Sequence, residues 1–275
     1  MPVNDDLGKR MKEYYEQIPR TKLMRRTPVA IRLDGKAFHT FTRGFNKPFD
    51  DVMINSMLRT MKYLCENIQG CVLGYTQSDE ITLILVDYKN LNSSAWFDYE
   101  VQKMCSISAS MATMAFNKSF NTFAKQYIID KLSDNNHSDE SEKYLRTLLA
   151  AIDKGAMFDA RVFNIPKEEV TNLIYWRQLD ATRNSIQSVG QANFSHKELQ
   201  NKTCNDIQNM LLTDRDINWN DLPTHLKRGS CYVKIYPSNE NDTENKARPY
   251  WHIDTDIPIF KDEGREYIEK LINVW

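Results

Sequence analysis

The chain has 275 residues, with 36 Lys+Arg against 37 Asp+Glu for a formal net charge of -1, 41% hydrophobic residues and 27% charged residues. This excludes a wholly disordered or collagen-like chain, and the length is enough to bury a core without staples. Near-neutral charge removes bulk charge as an argument for nucleic-acid binding, so such a role needs a local basic surface. No apolar run approaches the roughly 18 residues of a membrane span. Met1 to Arg10 carries Asp5, Asp6, Lys9 and Arg10 with no apolar stretch of signal type, which argues against secretion. Cys65, Cys71, Cys105, Cys204 and Cys231 are odd in number with no Cys-x-x-Cys, and read as reduced thiols in a cytoplasmic protein, with neither a zinc site nor a disulfide frame.

In chain order, residues 1–24 read as an amphipathic helix with a basic end (Arg20, Lys22, Arg25, Arg26). Residues 28–33 (PVAIRL) are apolar and strand-forming, and stop at Asp34-Gly35. Asp50 is placed to cap a helix over 51–67, whose Met53, Met57, Met61, Leu64, Cys65 and Ile68 fall at helical spacing. Two short strands, 71–77 and 81–87, are separated only by Ser78-Asp79-Glu80, which predicts a tight hairpin with two acids at its tip. Residues 97–132 read as one long helix, 134–142 (DNNHSDESE) as a polar loop and 160–165 as a strand. The order so far is β-α-β-β-α-β, the split arrangement of ferredoxin-type antiparallel sheets, so the fold class is α+β. The remaining third reads as mostly helical: 168–187, then 195–212 opened by the capping box Ser195-x-x-Glu198, and 261–274. Strands 231–236 and 250–255 are expected to pair across the polar segment SNENDTENKAR. A division at residue 165 follows, with a catalytic part over 1–165 and a mostly helical part over 166–275.

The chemistry is expected where strand ends meet. Asp34 ends the first strand and Asp79 sits at the hairpin tip; in a β-α-β-β sheet the two lie side by side. Two converging carboxylates repel unless a cation or proton sits between them. Hard oxygen ligands of this kind suit Mg²⁺, which takes one or two carboxylates plus nucleotide phosphates, and two such ions would assist an in-line phosphoryl displacement. Gly35 lets a ligand approach the backbone, and the amides of Lys36, Ala37, Phe38 and His39 would line a triphosphate. Lys36, Lys47, Lys103 and Arg161 are the basic residues expected nearby. Asp-Gly after a strand and Ser-Asp-Glu at a hairpin tip are each ordinary turn chemistry when taken singly; only the joint pattern points to a nucleotide–metal site.

Five blocks carry a resemblance: R-L-D-G-K-A-F-H (32–39), N-K-P (46–48), G-Y-T-Q-S-D-E (74–80), F-D-A-R-V (158–162) and Y-W-R-Q-L-D (175–180). In this order over about residues 25–190 they resemble the tRNA(His) guanylyltransferase superfamily of 3′-to-5′ RNA polymerases. The resemblance implies a palm-like catalytic sheet in which Asp34, Asp79 and the Gly35 carbonyl hold two Mg²⁺, with Glu80 among the catalytic acids. It implies nucleotide binding by the 34–39 loop and Ser78-Asp79, and Lys47, Lys103 and Arg161 holding triphosphate or assisting 5′ activation with ATP or GTP. It also implies tRNA as partner and a homotetramer. Arg177, Arg183 and Asn184 are RNA-contact candidates, with salt bridging to Asp180 or Glu169 the alternative for the arginines. The mixed Lys227, Arg228, Arg248, Tyr250 and Trp251 suit RNA ends or packing.

One departure is informative. True guanylyltransferases follow the Trp-Arg-Gln block with a Cys-His-Ile-Asn segment, whereas here Asp180-Ala181-Thr182-Arg183-Asn184-Ser185 follows. The sequence is therefore most like the branch that repairs truncated tRNA 5′ ends on the opposite strand as template. Addition of a single G to histidine tRNA is the alternative within the family. A palm-type nucleotide cyclase or signalling-nucleotide synthase is the alternative enzyme, and an RNA-binding module without catalysis is the non-enzymatic one.

Overall fold

The computed structural model describes residues 6–133, 139–235 and 249–273. Its elements in chain order are α1 (Asp6–Met11), β1 (Val29–Gly35), α2 (Phe38–Phe41), α3 (Asp51–Asn67), β2 (Cys71–Gln77), β3 (Glu80–Leu85) and α4 (Val101–Ser133). Then come α5 (Asp139–Lys154), β4 (Phe158–Asn164), α6 (Lys167–Asn193), α7 (His196–Leu199), α8 (Cys204–Arg215), α9 (Thr224–Arg228), β5 (Ser230–Ile235), β6 (Tyr250–Asp254) and α10 (Glu266–Ile272).

The strands form one six-stranded antiparallel sheet in the order β4-β1-β3-β2-β5-β6. The first four strands reproduce the split βαββαβ arrangement expected from the sequence. β5 and β6 pair as anticipated and extend the same sheet along the free edge of β2.

Alternation along the strands sends their residues to two cores. Val29, Ile31 and Leu33 of β1 and Ile81, Leu83 and Leu85 of β3 face α3 and α4. Ala30 and Ile84 face α6 and α10. α3 begins where Asp50 accepts a hydrogen bond from the Met53 amide at 2.9 Å, and its buried Met53, Met57, Met61 and Leu64 lie along one face. Under the α2 loop, Phe38, Phe41, Phe45, Phe116, Phe120 and Phe158 interlock with ring centroids 5.1–5.8 Å apart. Each ring removed from water is worth roughly 1.5–3 kcal/mol, which anchors the loop that follows β1.

Several expected elements differ. The N-terminal helix spans α1 and a π-helical turn Lys12–Glu16, then stops before Ile18-Pro19, since a residue preceding proline is disfavoured in the helical region. The basic end is instead an extended segment tied down by Arg20–Glu100, Lys22–Asp98 and Arg25–Asp87 ion pairs. The long helix starts at Val101, because Phe97, Asp98 and Tyr99 have left-handed φ values of 50–55°. The polar segment 134–142 is helical from Asp139, whose acids Asp139, Glu140 and Glu142 occupy the first turn of α5; residues 134–138 lie outside the described residues, as do 236–248. The single helix expected over 195–212 is two, because Asn201 is left-handed and Thr203 opens a second capping box with Asp206. The last helix is α10, preceded by a 3₁₀ turn, Asp262–Arg265.

Candidate active site

Antiparallel pairing brings the acids together. Asp34 of β1 lies opposite Glu80 of β3 and Asp159 of β4, and the Gly35 amide donates to the Asp79 carbonyl at 3.2 Å. Ser78 and Asp79 form a two-residue hairpin turn between paired Gln77 and Glu80, with Ser78 at φ 50°. The Ser78 hydroxyl donates to the Asp79 carboxylate at 3.0 Å. Gly35 is required here: a Cβ would fall 2.2 Å from the Phe38 ring, the same ring that locks the loop into the core.

The two carboxylates are held at an energetic disadvantage. Burial pushes Asp79 up to about 6, with the charges of Asp34 and Glu80 adding to the shift and hydrogen bonds from its own amide and from Ser78 opposing it. Burial also raises Asp34, followed by the charges of Glu80 and Asp159, against the opposing pull of Arg32 and Arg161. The Asp34 side chain makes no hydrogen bond or ion pair among the described residues. Glu80 is different. Its carboxylate takes Arg177 Nη1 at 2.9 and 3.2 Å and has Arg32 at 3.6 Å, so it is neutralised internally. Among the described residues no three His, Cys, Asp or Glu groups form a metal cage. What remains is a carboxylate pair, which matches what Mg²⁺ asks of a protein when substrate phosphates complete its shell.

A cleft of about 580 Å³ opens beside this pair. It is lined by Gly35, Ala37, Phe38 and His39, by Asn46 to Asp50, by Gln77, Ser78 and Asp79, and by one face of α6 (Ala181, Asn184, Ser185, Ser188). Its size suits a nucleoside triphosphate. Ala37 has left-handed φ 54°, so the chain turns sharply into α2, and the Lys36 amide is bound to the Met157 carbonyl at 2.9 Å. The Phe38 ring belongs to the core, leaving only its main chain for a ligand. The far lip is fixed by Asp50, which takes the Asn46 amide at 3.0 Å and the Tyr144 hydroxyl at 2.6 Å. Asp34 itself is not a lining residue; its neighbour Gly35 lines the cleft, and Asp34 stands on the sheet opposite Glu80.

Most of the residues expected at the site gather here: Gly35, Ala37, Phe38, His39, Lys47, Ser78, Asp79 and Asn184 line the cleft, Asp34 stands beside it, and Arg161 lies on the same sheet face as Asp34. Lys36 is not a lining residue, and its amide, expected on a triphosphate, is taken by the Met157 carbonyl. Lys103 does not gather here. Phe158, beside Gly35, donates its amide to Thr113 Oγ1 at 3.1 Å, and Lys103 lies nearly three turns earlier on α4, about 15 Å back toward the other end of the sheet. Arg177 is not an RNA contact either: it is 5% exposed and holds Glu80 and Asp180. Arg183 is exposed and paired with Asp180.

Sequence reasoning missed His225, Leu226, Lys227 and Gly229 as cleft walls. Lys227, considered for RNA, is buried with its ammonium on the Asn220 carbonyl, and burial, followed by Arg228, pushes it below the usual lysine range. Gly229 has φ 84°, and a Cβ there would meet the Thr76 carbonyl at 2.5 Å. Trp251 stacks on Tyr232 at 5.0 Å and packs against the core; Arg248 lies outside the described residues.

The family description of tRNAHis guanylyltransferases matches residues 8–166. A bacterial tRNA(His) guanylyltransferase (Thg1)-like protein, solved in complex with ATP, is similar with a TM-score of 0.78 and 39% identity over 98% of this chain and 100% of that one. A GTP complex of such a protein gives a TM-score of 0.74 and 37% identity, with the same coverage. A probable tRNA(His) guanylyltransferase of Dictyostelium discoideum is 27% identical over 235 residues, 81% of this chain and 80% of its own length. A split βαββαβ sheet with two unneutralised acids at its rim, matched by these relatives over most of its length, makes this chain a member of the tRNAHis guanylyltransferase family and a nucleotidyltransferase.

Proposed function

We propose that the chain is a Mg²⁺-dependent 3′-to-5′ nucleotidyltransferase that rebuilds truncated tRNA 5′ ends, selecting each nucleotide by pairing with the opposite strand of the acceptor stem. The observation that carries the reading is the Asp34–Asp79 pair, raised in pKa and lacking a basic partner, at the mouth of a cleft of triphosphate size. Asp34, Asp79 and the Gly35 carbonyl would hold the metal. Bound there, Mg²⁺ supplies charge neutralisation at the reacting phosphates and activates the attacking hydroxyl.

The chain's own residues orient the substrates. Main-chain amides over 37–39 and Lys47 would hold the triphosphate of ATP, GTP or another incoming nucleotide. Ser78 fixes the Asp79 carboxylate, and Glu80 fixes the arginines beneath it. The 5′ phosphate is either adenylylated first or already a triphosphate, and the 3′-hydroxyl of the incoming nucleotide displaces the activating group. Catalysis is then mostly positioning and charge stabilisation. Template pairing makes a base-selective protein pocket unnecessary, in keeping with the departure at Thr182-Arg183. We further propose a cytoplasmic homotetramer, with residues 166–275 contributing to tRNA binding and assembly; five free cysteines fit a reducing compartment.

The test is incubation with tRNA lacking its 5′ nucleotide, ATP, Mg²⁺ and labelled nucleotides, followed by sequencing of the products. Additions complementary to the 3′ strand are expected. Addition of G alone, whatever stands opposite, would identify the histidine-tRNA activity instead. Cyclic or dinucleotide products without RNA would identify a cyclase or signalling-nucleotide synthase.

A further inference from the structure

α6 presents two different faces, one to the cleft and one to solvent. Ala181, Asn184, Ser185 and Ser188 line the nucleotide cleft. On the opposite face, Trp176, Leu179 and Arg183 follow at i, i+3 and i+7, with Trp176 50% and Leu179 51% exposed. Trp176 leans over β1: the Arg32 guanidinium lies 5.4 Å and that of Arg177 3.5 Å from its ring centroid. Both arginines are fixed by Glu80, and the buried Nε of each has no hydrogen-bond partner. The indole is therefore braced from one side by two cations while half of it remains open to solvent.

The sheet beside it is open as well. Arg32 and Asp34 of β1 and Asp159 and Arg161 of β4 point to this same face, and Asp159 and Arg161 are exposed. Asp34 belongs to this open floor, while Asp79 belongs to the cleft. The acid pair thus sits at a divide, with a cleft for one substrate on the Asp79 side and a floor with an aromatic wall on the Asp34 side.

We propose that Trp176 is a stacking platform for the 5′-terminal base of the RNA, which enters over the β1–β4 floor and brings its phosphate toward the cation that Asp34 would help hold, while the nucleotide occupies the cleft. This rests on the function proposed above and names the RNA side of that site. An indole offers a π-face to any base, as a template-directed enzyme requires, because every sequence must be accepted at the growing end. Arg161 and Arg183 supply phosphate contacts that are only partly satisfied by Asp159 and Asp180.

The experiment uses the full chain with Trp176→Phe and Trp176→Leu, and an acceptor-stem hairpin lacking its 5′ nucleotide and carrying 2-aminopurine at the new 5′ end. The wild type and the phenylalanine variant should quench 2-aminopurine on binding. The leucine variant should lose the quench and raise KM for the hairpin about tenfold, with KM for the nucleotide and Tm unchanged. Trp176→Phe should also lose the part of the RNA-induced quench of protein emission that comes from this one of five indoles, a readout that needs no leucine variant. The platform is overturned if leucine leaves the quench and the hairpin KM intact, if the nucleotide KM rises instead, or if the only change is in the protein's mass in solution. If the wild type quenches but never extends the hairpin, the proposed function fails and the platform stands. If the wild type extends it and the leucine variant matches it, the platform fails and the proposed function stands.

Discussion

The two ends of the central strands treat their acids in opposite ways. Beyond β3, Asp87 is 1% exposed and closed by protein: Arg25 Nε donates to it at 2.6 Å and the Arg26 amide at 2.8 Å. At the other end, Asp34 and Asp79 are half-buried, no arginine or lysine among the described residues pairs with either, and burial raises both pKa values. A fold that needed only stability would satisfy both ends alike. The difference supports the proposed role of the Asp34–Asp79 rim in holding a cation, and it makes Asp87 a fastening for the N-terminal segment.

The comparison breaks most completely at Asp79. Asp79→Ala is expected to reduce nucleotide addition to background while circular dichroism and Tm report a folded protein; near-native turnover at saturating Mg²⁺ would remove the metal assignment. Chelation with EDTA should have the same effect, reversed by Mg²⁺. Glu80→Gln tests the neutralised member of the cluster. Because it acts through Arg177 and Arg32, we expect kcat to fall roughly 10–100-fold rather than vanish. Asp87→Ala should do the reverse, lowering unfolding free energy by roughly 2–3 kcal/mol in urea while leaving kcat per folded molecule unchanged. Gly35→Ala, which drives a methyl into Phe38, should cost about 1–3 kcal/mol and also disturb the nucleotide loop.

The smallest effect is a pH dependence. With its folded pKa raised to about 6, Asp79 binds a proton more tightly in the native state than when unfolded. In metal-free protein the stability increment from Asp79 should therefore be fully present below the ordinary carboxylate range and be lost as pH rises through about 6. Mg²⁺ should raise Tm by more at pH 7.5 than at pH 5.5, and Asp79→Asn should flatten the profile.

What was legible in the sequence was what local chemistry dictates. The apolar run ending at Asp34-Gly35, the Asp50 cap and the Ser78-Asp79 tip are each specified within a few residues, and antiparallel pairing then put the acids side by side. α5 was missed because its opening acids read as a loop, although Tyr144, Leu148 and Ala151 carry helical spacing. Arg177 makes the ion pair with Asp180 that its spacing allows, but its closer partner Glu80 is 97 residues away, and no local pattern announces that buried pair. The α9 wall of the cleft was invisible for the same reason: Arg228 and Gly229 meet β2 at Tyr75 and Thr76 only in the folded molecule.

Helix α5 lies away from the Asp34–Asp79 rim, yet the phenol of Tyr144 reaches Asp50, which both caps α3 and fixes the strand-to-helix loop bearing Lys47. The lip of the cleft is thus latched by a hydroxyl belonging to a helix on the outside of the molecule. Any event that shifts that helix by an ångström would reshape the lip of the cleft without altering a single lining residue.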